Sequence, residues 1–148
     1  GGERTPLNSA AIRGAFTGLE HITDRQAGTR AVLEGVTFAI RDCRDALATT
    51  GTKIENLLAV GGGSRSDYWL RAIATALDCP VSLPVAGDFG GAFGAARLAL
   101  MAATGAGAEI ATLPQIAREV LPDPALKDAF DAGHARFAAA QSAIRSLA

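Results

Sequence analysis

The run Asn56-Leu57-Leu58-Ala59-Val60 passes directly into Gly61-Gly62-Gly63-Ser64, and no other feature of the chain restricts its fold as tightly. A short unbroken apolar run, bounded by Glu55 and a glycine triplet, reads as a strand buried on both faces. Beyond the triplet, Ser66 is placed to cap a helix whose Trp69, Leu70, Ile73 and Leu77 share one face. Pro80 stops that helix, and Val81-Ser82-Leu83 makes a second short strand. Strand, glycine turn, helix and strand in succession specify an α/β fold.

The flanking segments fit that scheme. Residues 1–22 are rich in Gly, Thr, Pro and Asn and read as loop, with one short strand near Ala15-Phe16. Thr23-Asp24-Arg25-Gln26 has the form of a capping box, with Thr23 as N-cap and Gln26 returning the bond. The helix it opens spans about 26 residues, with Val32, Val36, Ala39, Cys43 and Leu47 as its apolar stripe and Gly51 as its stop. Downstream, Asp88 caps a third helix, Phe89 to Thr104, ended by Gly105. Its Gly90/Gly94 and Gly91/Ala95/Ala99 rows leave two faces nearly free of side chains, open to close approach by a backbone or ligand. A short helix is expected over Leu113 to Glu119. A last helix follows Asp123-Pro124, with Leu126, Phe130, Phe137 and Ile144 on one side.

Composition narrows the function classes. The net charge of −1 argues against a nucleic-acid or acidic-membrane partner held by bulk electrostatics. No apolar run approaches the length of a bilayer span, and no basic-then-apolar signal opens the chain. Cys43 and Cys79 lack a metal-ligand spacing and read as small buried apolar groups. The chain of 148 residues begins Gly1-Gly2-Glu3 without methionine, which reads either as processing that removed something or as a fragment of a longer protein.

Chemistry concentrates at the glycines. Backbone N–H groups in a turn without side chains can approach phosphate or adenine, and a helix N-terminus favours anions. The same triplet serves equally as a structural turn, because glycine is the general solution for positive φ. It is not a Walker A loop, since no Lys-Ser/Thr follows, nor a dinucleotide fingerprint. Ala86-Gly87-Asp88-Phe89-Gly90-Gly91 also opens a helix after a strand, so the two glycine segments could face each other and clamp a nucleotide. His134 reads as a half-buried packing residue beside Phe130 and Phe137, and the Arg41-Asp42, Arg44-Asp45 series as a solvated helix face. No catalytic residue and no metal ligand emerges from the residues alone.

Several segments together resemble the FGGY family of carbohydrate kinases, in its C-terminal domain and closest to the xylulokinase branch. They are Gly2-Glu3-Arg4-Thr5-Pro6, Arg13-Gly14-Ala15-Phe16-Thr17-Gly18-Leu19, Ala31 through Phe38, Gly61 through Trp69, Pro80-Val81 and Gly87-Asp88 with Gly94 through Ala99. Leu7 departs from the histidine common in that branch. Ala27 and Gly28 stand where relatives carry an acidic and a bulky aliphatic residue.

The resemblance implies a partial actin-like ATPase (ribonuclease H-like) C-terminal domain over residues 1–148. The sugar-binding N-terminal domain, the general-base aspartate and the first strands of this domain would lie upstream. It implies Mg-ATP as cosubstrate, cytoplasmic location and phosphorylation of D-xylulose to D-xylulose 5-phosphate by the full-length enzyme. The isolated fragment would be inactive. Gly61, Gly62, Gly63, Ser64 and Asp67 would form part of the adenosine site, with Asp67 facing adenine. Strands absent from a sheet would leave an exposed edge that favours self-association, including a homodimer. Other readings are a different FGGY kinase (gluconate, glycerol or ribulose), a non-enzymatic actin-like nucleotide-binding module, and an α/β fragment that binds nothing.

Overall fold

The first helix is capped by Asp24, one residue later than the sequence signal places it. Asp24 Oδ1 accepts from the Ala27 N–H at 2.7 Å, whereas Thr23 Oγ1 turns back to accept from the Glu20 N–H at 2.9 Å. A carboxylate caps as well as a hydroxyl does and also faces the positive end of the helix dipole. Helix α1 then runs Arg25–Ala48 over 24 residues. Gly51, at φ 85°, follows it and donates to Ala48 O, as a left-handed C-terminal stop should. The computed structural model describes residues 2–85, 87 and 90–145.

Three strands form one sheet in the order β1-β2-β3. Strand β1 (Leu57–Leu58) lies parallel to β2 (Val81–Pro84), and β3 (Ile116–Val120) lies antiparallel along the other edge of β2. Strand β1 is buried on one face only, contrary to the sequence expectation: Leu57 and Ala59 pack inward while Leu58 and Val60 are exposed. The expected helix over Leu113 to Glu119 is also wrong, because Ile116–Val120 is a strand. Ile116 and Val120, four apart, satisfy both periods, and five residues are too few to sustain a helix. Pairing with β2 satisfies both backbones instead. The buried Ser82 hydroxyl ties the three strand segments together, accepting from Asn56 Nδ2 at 2.9 Å and donating to Glu119 Oε1 at 3.2 Å.

Helix α2 (Asp67–Leu77) is the centre of the molecule. Its Leu70 and Ala74 meet Val81 and the inner face of the sheet, while Ala72, Ala76 and Leu77 meet Phe38 of α1 and Phe130 of α4 (Lys127–Arg145). The layers are therefore sheet, α2, then α1 with α4. Burying Phe38 alone contributes about 1.5–3 kcal/mol. Left-handed Asp78, at φ 49°, ends α2 before Pro80 is reached.

The face that α1 buries differs from the expected stripe. Val32, Val36 and Leu47 are exposed, and Thr37, Phe38 and Ile40 point into the core. Apolar residues occupy more than one side of this helix, and the aromatic ring decides which side packs. The Arg41-Asp42, Arg44-Asp45 series forms local pairs of Asp45 with Arg41 and Arg44, but it is likewise no solvated face. Arg41 Nη1 reaches Asp131 Oδ1 at 2.6 Å, Asp42 Oδ1 lies 2.7 Å from His134 Nε2, and Arg44 Nη1 donates to Leu77 O at 2.6 Å. These charges fasten α1 to α4 and to the C-terminal end of α2. His134, stacked on Phe137 and tilted against Phe38, is the packing histidine expected, with an acid partner added. Cys79 is buried as expected, but Cys43 is only half-buried, its thiol donating to Thr5 O.

Helix α3 (Gly90–Thr104) buries no residue among those described. Of its glycines, only Gly90 is closely approached: a Cβ there would lie 2.9 Å from Val60 Cγ2, whereas Gly91 and Gly94 face open space. Its end at left-handed Gly105 is as expected. The proposed Asp88 cap and Phe89 lie outside the described residues. No strand forms at Ala15-Phe16; the N-terminal segment instead folds back on itself through a Glu3–Ser9 bridge. No helix among the described residues is long and apolar enough to cross a membrane.

Candidate functional site at the glycine turn

Strand β1 ends at the C-terminal edge of the parallel pair, and the chain must there reverse into α2. Gly61 makes the reversal at φ 81°, a conformation that side-chain-bearing residues rarely adopt. Gly62–Arg65 follow as a single 3₁₀ turn, and Ser66 Oγ caps α2 by accepting from the Trp69 N–H at 3.3 Å. Ser64 closes the turn from within: its N–H and its hydroxyl both donate to Gly61 O, at 3.1 and 2.7 Å. The Ser64 hydroxyl is therefore engaged by the loop itself.

The two inner glycines face opposite surroundings. A Cβ on Gly63 would lie 2.7 Å from Trp69 Cζ3, so the turn rests directly on the indole. A Cβ on Gly62 would meet nothing within 4 Å. Gly63 is itself exposed, and a side chain there would have to displace the half-buried Trp69 ring. At Gly62 glycine leaves a bare stretch of backbone on the outer surface.

The two glycine segments do meet. The Gly61 N–H donates to Gly87 O at 3.0 Å, and Gly90 sits against Val60. The turn and the start of α3 therefore border one region at the C-terminal ends of β1 and β2. Asp67, the first residue of α2, stands beside it, well exposed, with Oδ1 paired to Arg118 Nη2 of β3 at 2.5 Å. Sequence reasoning missed Arg118, since a helix over Leu113 to Glu119 gives it no partner on α2.

A second polar group braces the other side of α2. Tyr68 O–H donates to Glu34 Oε1 at 2.6 Å, and Arg30 Nε donates to the same oxygen at 2.7 Å. Burial, then the hydrogen bond to the Glu34 carboxylate, pushes the Tyr68 phenol up to about 12. The Glu34 bond holds the Arg30 guanidinium above its ordinary value. An open cleft of about 640 Å³ lies beside this group, lined by Arg25, Thr29, Arg30 and Leu33 together with Tyr68. It includes none of the turn residues Gly61–Ser64 and is a separate feature from the turn.

The turn presents backbone, with no side chain at Gly62, to anything that approaches it. Exposed backbone at Gly62, beside the start of an eleven-residue helix, can approach a flat base or an anionic group. Among the described residues, no three His, Cys, Asp or Glu side chains group as metal ligands, and the one carboxylate at the turn is paired to an arginine.

Comparison with known proteins bears on this geometry. Residues 1–103 match the model of the FGGY family of carbohydrate kinases, C-terminal domain. The xylulose kinase of Escherichia coli (strain K12) is 41% identical over 124 residues, which cover 82% of this chain and 26% of that protein. The crystal structure of a xyloylose kinase from Brucella ovis superposes with a TM-score of 0.87 at 59% identity, over 99% of this chain and 31% of that one. The xylulose kinase of Rhodospirillum rubrum gives a TM-score of 0.74 at 30% identity, over 99% of this chain and 29% of that one. The chain thus spans about a third or less of the length of these relatives.

Proposed function

Because the chain belongs to the FGGY family of carbohydrate kinases, as part of the C-terminal domain of its actin-like ATPase fold, we propose that it forms part of the ATP site of a longer sugar kinase. The reaction proposed is transfer of the ATP γ-phosphoryl group to D-xylulose, giving D-xylulose 5-phosphate, as the names of the relatives suggest. The observation that carries the site is the asymmetry of the turn. Gly63 is braced on Trp69, whereas Gly62 meets nothing.

In this reading Gly62 and Gly63 lend backbone surface to the adenosine, Gly61 sets the angle of the turn, and Ser64 keeps it closed. Asp67 faces the base. Phosphoryl transfer depends mainly on positioning of donor and acceptor and on neutralising charge. This chain's share is to hold the donor. Mg²⁺ would accompany the phosphates, which bind it directly in kinases. The sugar, and the base that takes its hydroxyl proton, belong to the N-terminal domain proposed for the longer protein.

The test is a steady-state assay of the full-length protein with ATP and, in turn, D-xylulose, D-gluconate and glycerol. ATP-dependent phosphorylation with the highest kcat/KM on D-xylulose is expected. A preference for another of the three would retain the kinase and replace the sugar. Absence of transfer to all three, with ATP still bound, would favour a non-enzymatic nucleotide-binding module.

A further inference from the structure

We infer that Arg118 is a positioning residue for the nucleotide, acting through Asp67, and that it fixes the preference for adenine over guanine. The inference rests on the proposed role of Asp67 at the base. Three observations carry it. Arg118 Nη2 pairs with Asp67 Oδ1 across 51 positions of sequence, so the contact is tertiary. Arg118 also stands opposite Leu83 on β2, near the C-terminal end of that strand. That end leads to Gly87, whose carbonyl receives the Gly61 N–H. Strand β3 therefore delivers its guanidinium to Asp67 at the start of α2, the helix that follows the glycine turn. Finally, β3 lies beyond residues 1–103, the part matched by the family model, so the tail of this chain supplies the brace.

The chemistry follows from the donors and acceptors. An ionised carboxylate only accepts hydrogen bonds, and a guanidinium only donates. With one oxygen paired to Arg118, Asp67 has its other oxygen left to present. That oxygen complements the exocyclic amino group of adenine and opposes the carbonyl that guanine places there. Without Arg118 the carboxylate turns freely, its charge is uncompensated, and the discrimination weakens.

The experiment uses the full-length protein and three variants, Arg118→Ala, Asp67→Ala and the double variant, with Arg118→Lys as the conservative control. ATP and GTP affinities are read by calorimetry, and KM and kcat by the phosphorylation assay. Arg118→Ala should weaken ATP binding about three- to fivefold, the most that an exposed ion pair supports. The same change should appear in KM with kcat within about twofold, and the ATP-over-GTP ratio should fall. Arg118→Lys should recover part of the loss, and the double variant should bind ATP no worse than Asp67→Ala. If Asp67→Ala weakens ATP binding while Arg118→Ala does not, or if the two losses multiply, the role of Arg118 is overturned and the nucleotide site stands. If Asp67→Ala leaves ATP affinity unchanged, the assignment of Asp67 to the base is itself wrong. Arg118 is half-exposed, and unfolding midpoints of all variants check that the fold is retained.

Discussion

The indole Nε1 of Trp69 donates to Thr37 Oγ1 at 3.1 Å, and so helix α1 fixes the ring on which the glycine turn rests. Thr37 is fully buried and in turn donates its hydroxyl proton to Leu33 O at 2.8 Å. Thr37→Val keeps the shape and removes the acceptor, leaving a half-buried N–H without its partner. A loss of about 1–3 kcal/mol is expected in urea unfolding. An unchanged midpoint would mean that the indole finds another acceptor.

Gly62 and Gly63 should separate stability from binding. Gly63→Ala drives a methyl to 2.7 Å from the Trp69 ring, and overpacking of this kind costs about 1–3 kcal/mol. The gain from restricting the unfolded chain, about 0.4–1 kcal/mol, does not offset it. Gly62→Ala enters open space and should shift stability by less than about 0.5 kcal/mol. If the bare backbone receives adenosine, that same variant should lose about tenfold or more in ATP affinity. Retained affinity in Gly62→Ala would remove the main support for the nucleotide reading.

Gly133 of α4 offers a test of the core. A Cβ there would lie 2.7 Å from Phe38 Cζ. Alanine improves helix propensity by about 1 kcal/mol, while crowding a central aromatic costs about 1–3 kcal/mol. Net destabilisation is expected from chemical denaturation. A more stable Gly133→Ala protein would show that α4 can move away from Phe38 at little cost.

Tyr68 is the sole tyrosine of the chain, so its phenolate absorbance reports one group. In the folded state its phenol is pushed up to about 12, against about 10 for a free phenol. The raised value means that folding favours the neutral form. The resulting stability is complete below about pH 10 and is lost as pH rises through about 12. A titration of the folded chain should give a midpoint well above that in denaturant, and Glu34→Gln should lower it. A folded midpoint equal to the denatured one would show that the Glu34 contact does not persist in solution.

Local signals carried the sequence reading where one segment decides the outcome. Ser66, Gly51 and Gly105 act where the residue types put them, because caps and left-handed stops are set within a turn or two of chain. Asp24 moved the first cap by one residue, since two adjacent side chains could each accept the bond. Burial of Leu70 and Leu77 follows from the amphipathic pattern of α2. The failures share one cause. Whether Val36 or Phe38 faces the core, whether Ile116 belongs to a helix or a strand, and whether Arg41 meets water or Asp131 all depend on a distant partner. The same holds at the candidate site. The glycines were legible because backbone conformation is local, and Arg118 was not, because its place is set by pairing with β2.

The hydrogen bond from Gly61 to Gly87 joins the two glycine segments through main-chain atoms alone. A side-chain truncation scan has nothing to remove at either end, so it would pass over the joint that holds both sides of the proposed site together. Replacing the Gly61 amide by an ester, which deletes the donor and leaves every side chain in place, is the substitution able to register it. Sequence variation is similarly blind to the bond itself. What variation can sense is the positive φ of Gly61 and the space between Gly87 and Pro84, so tolerance at these two positions would measure backbone conformation and room and would carry no information about chemical role.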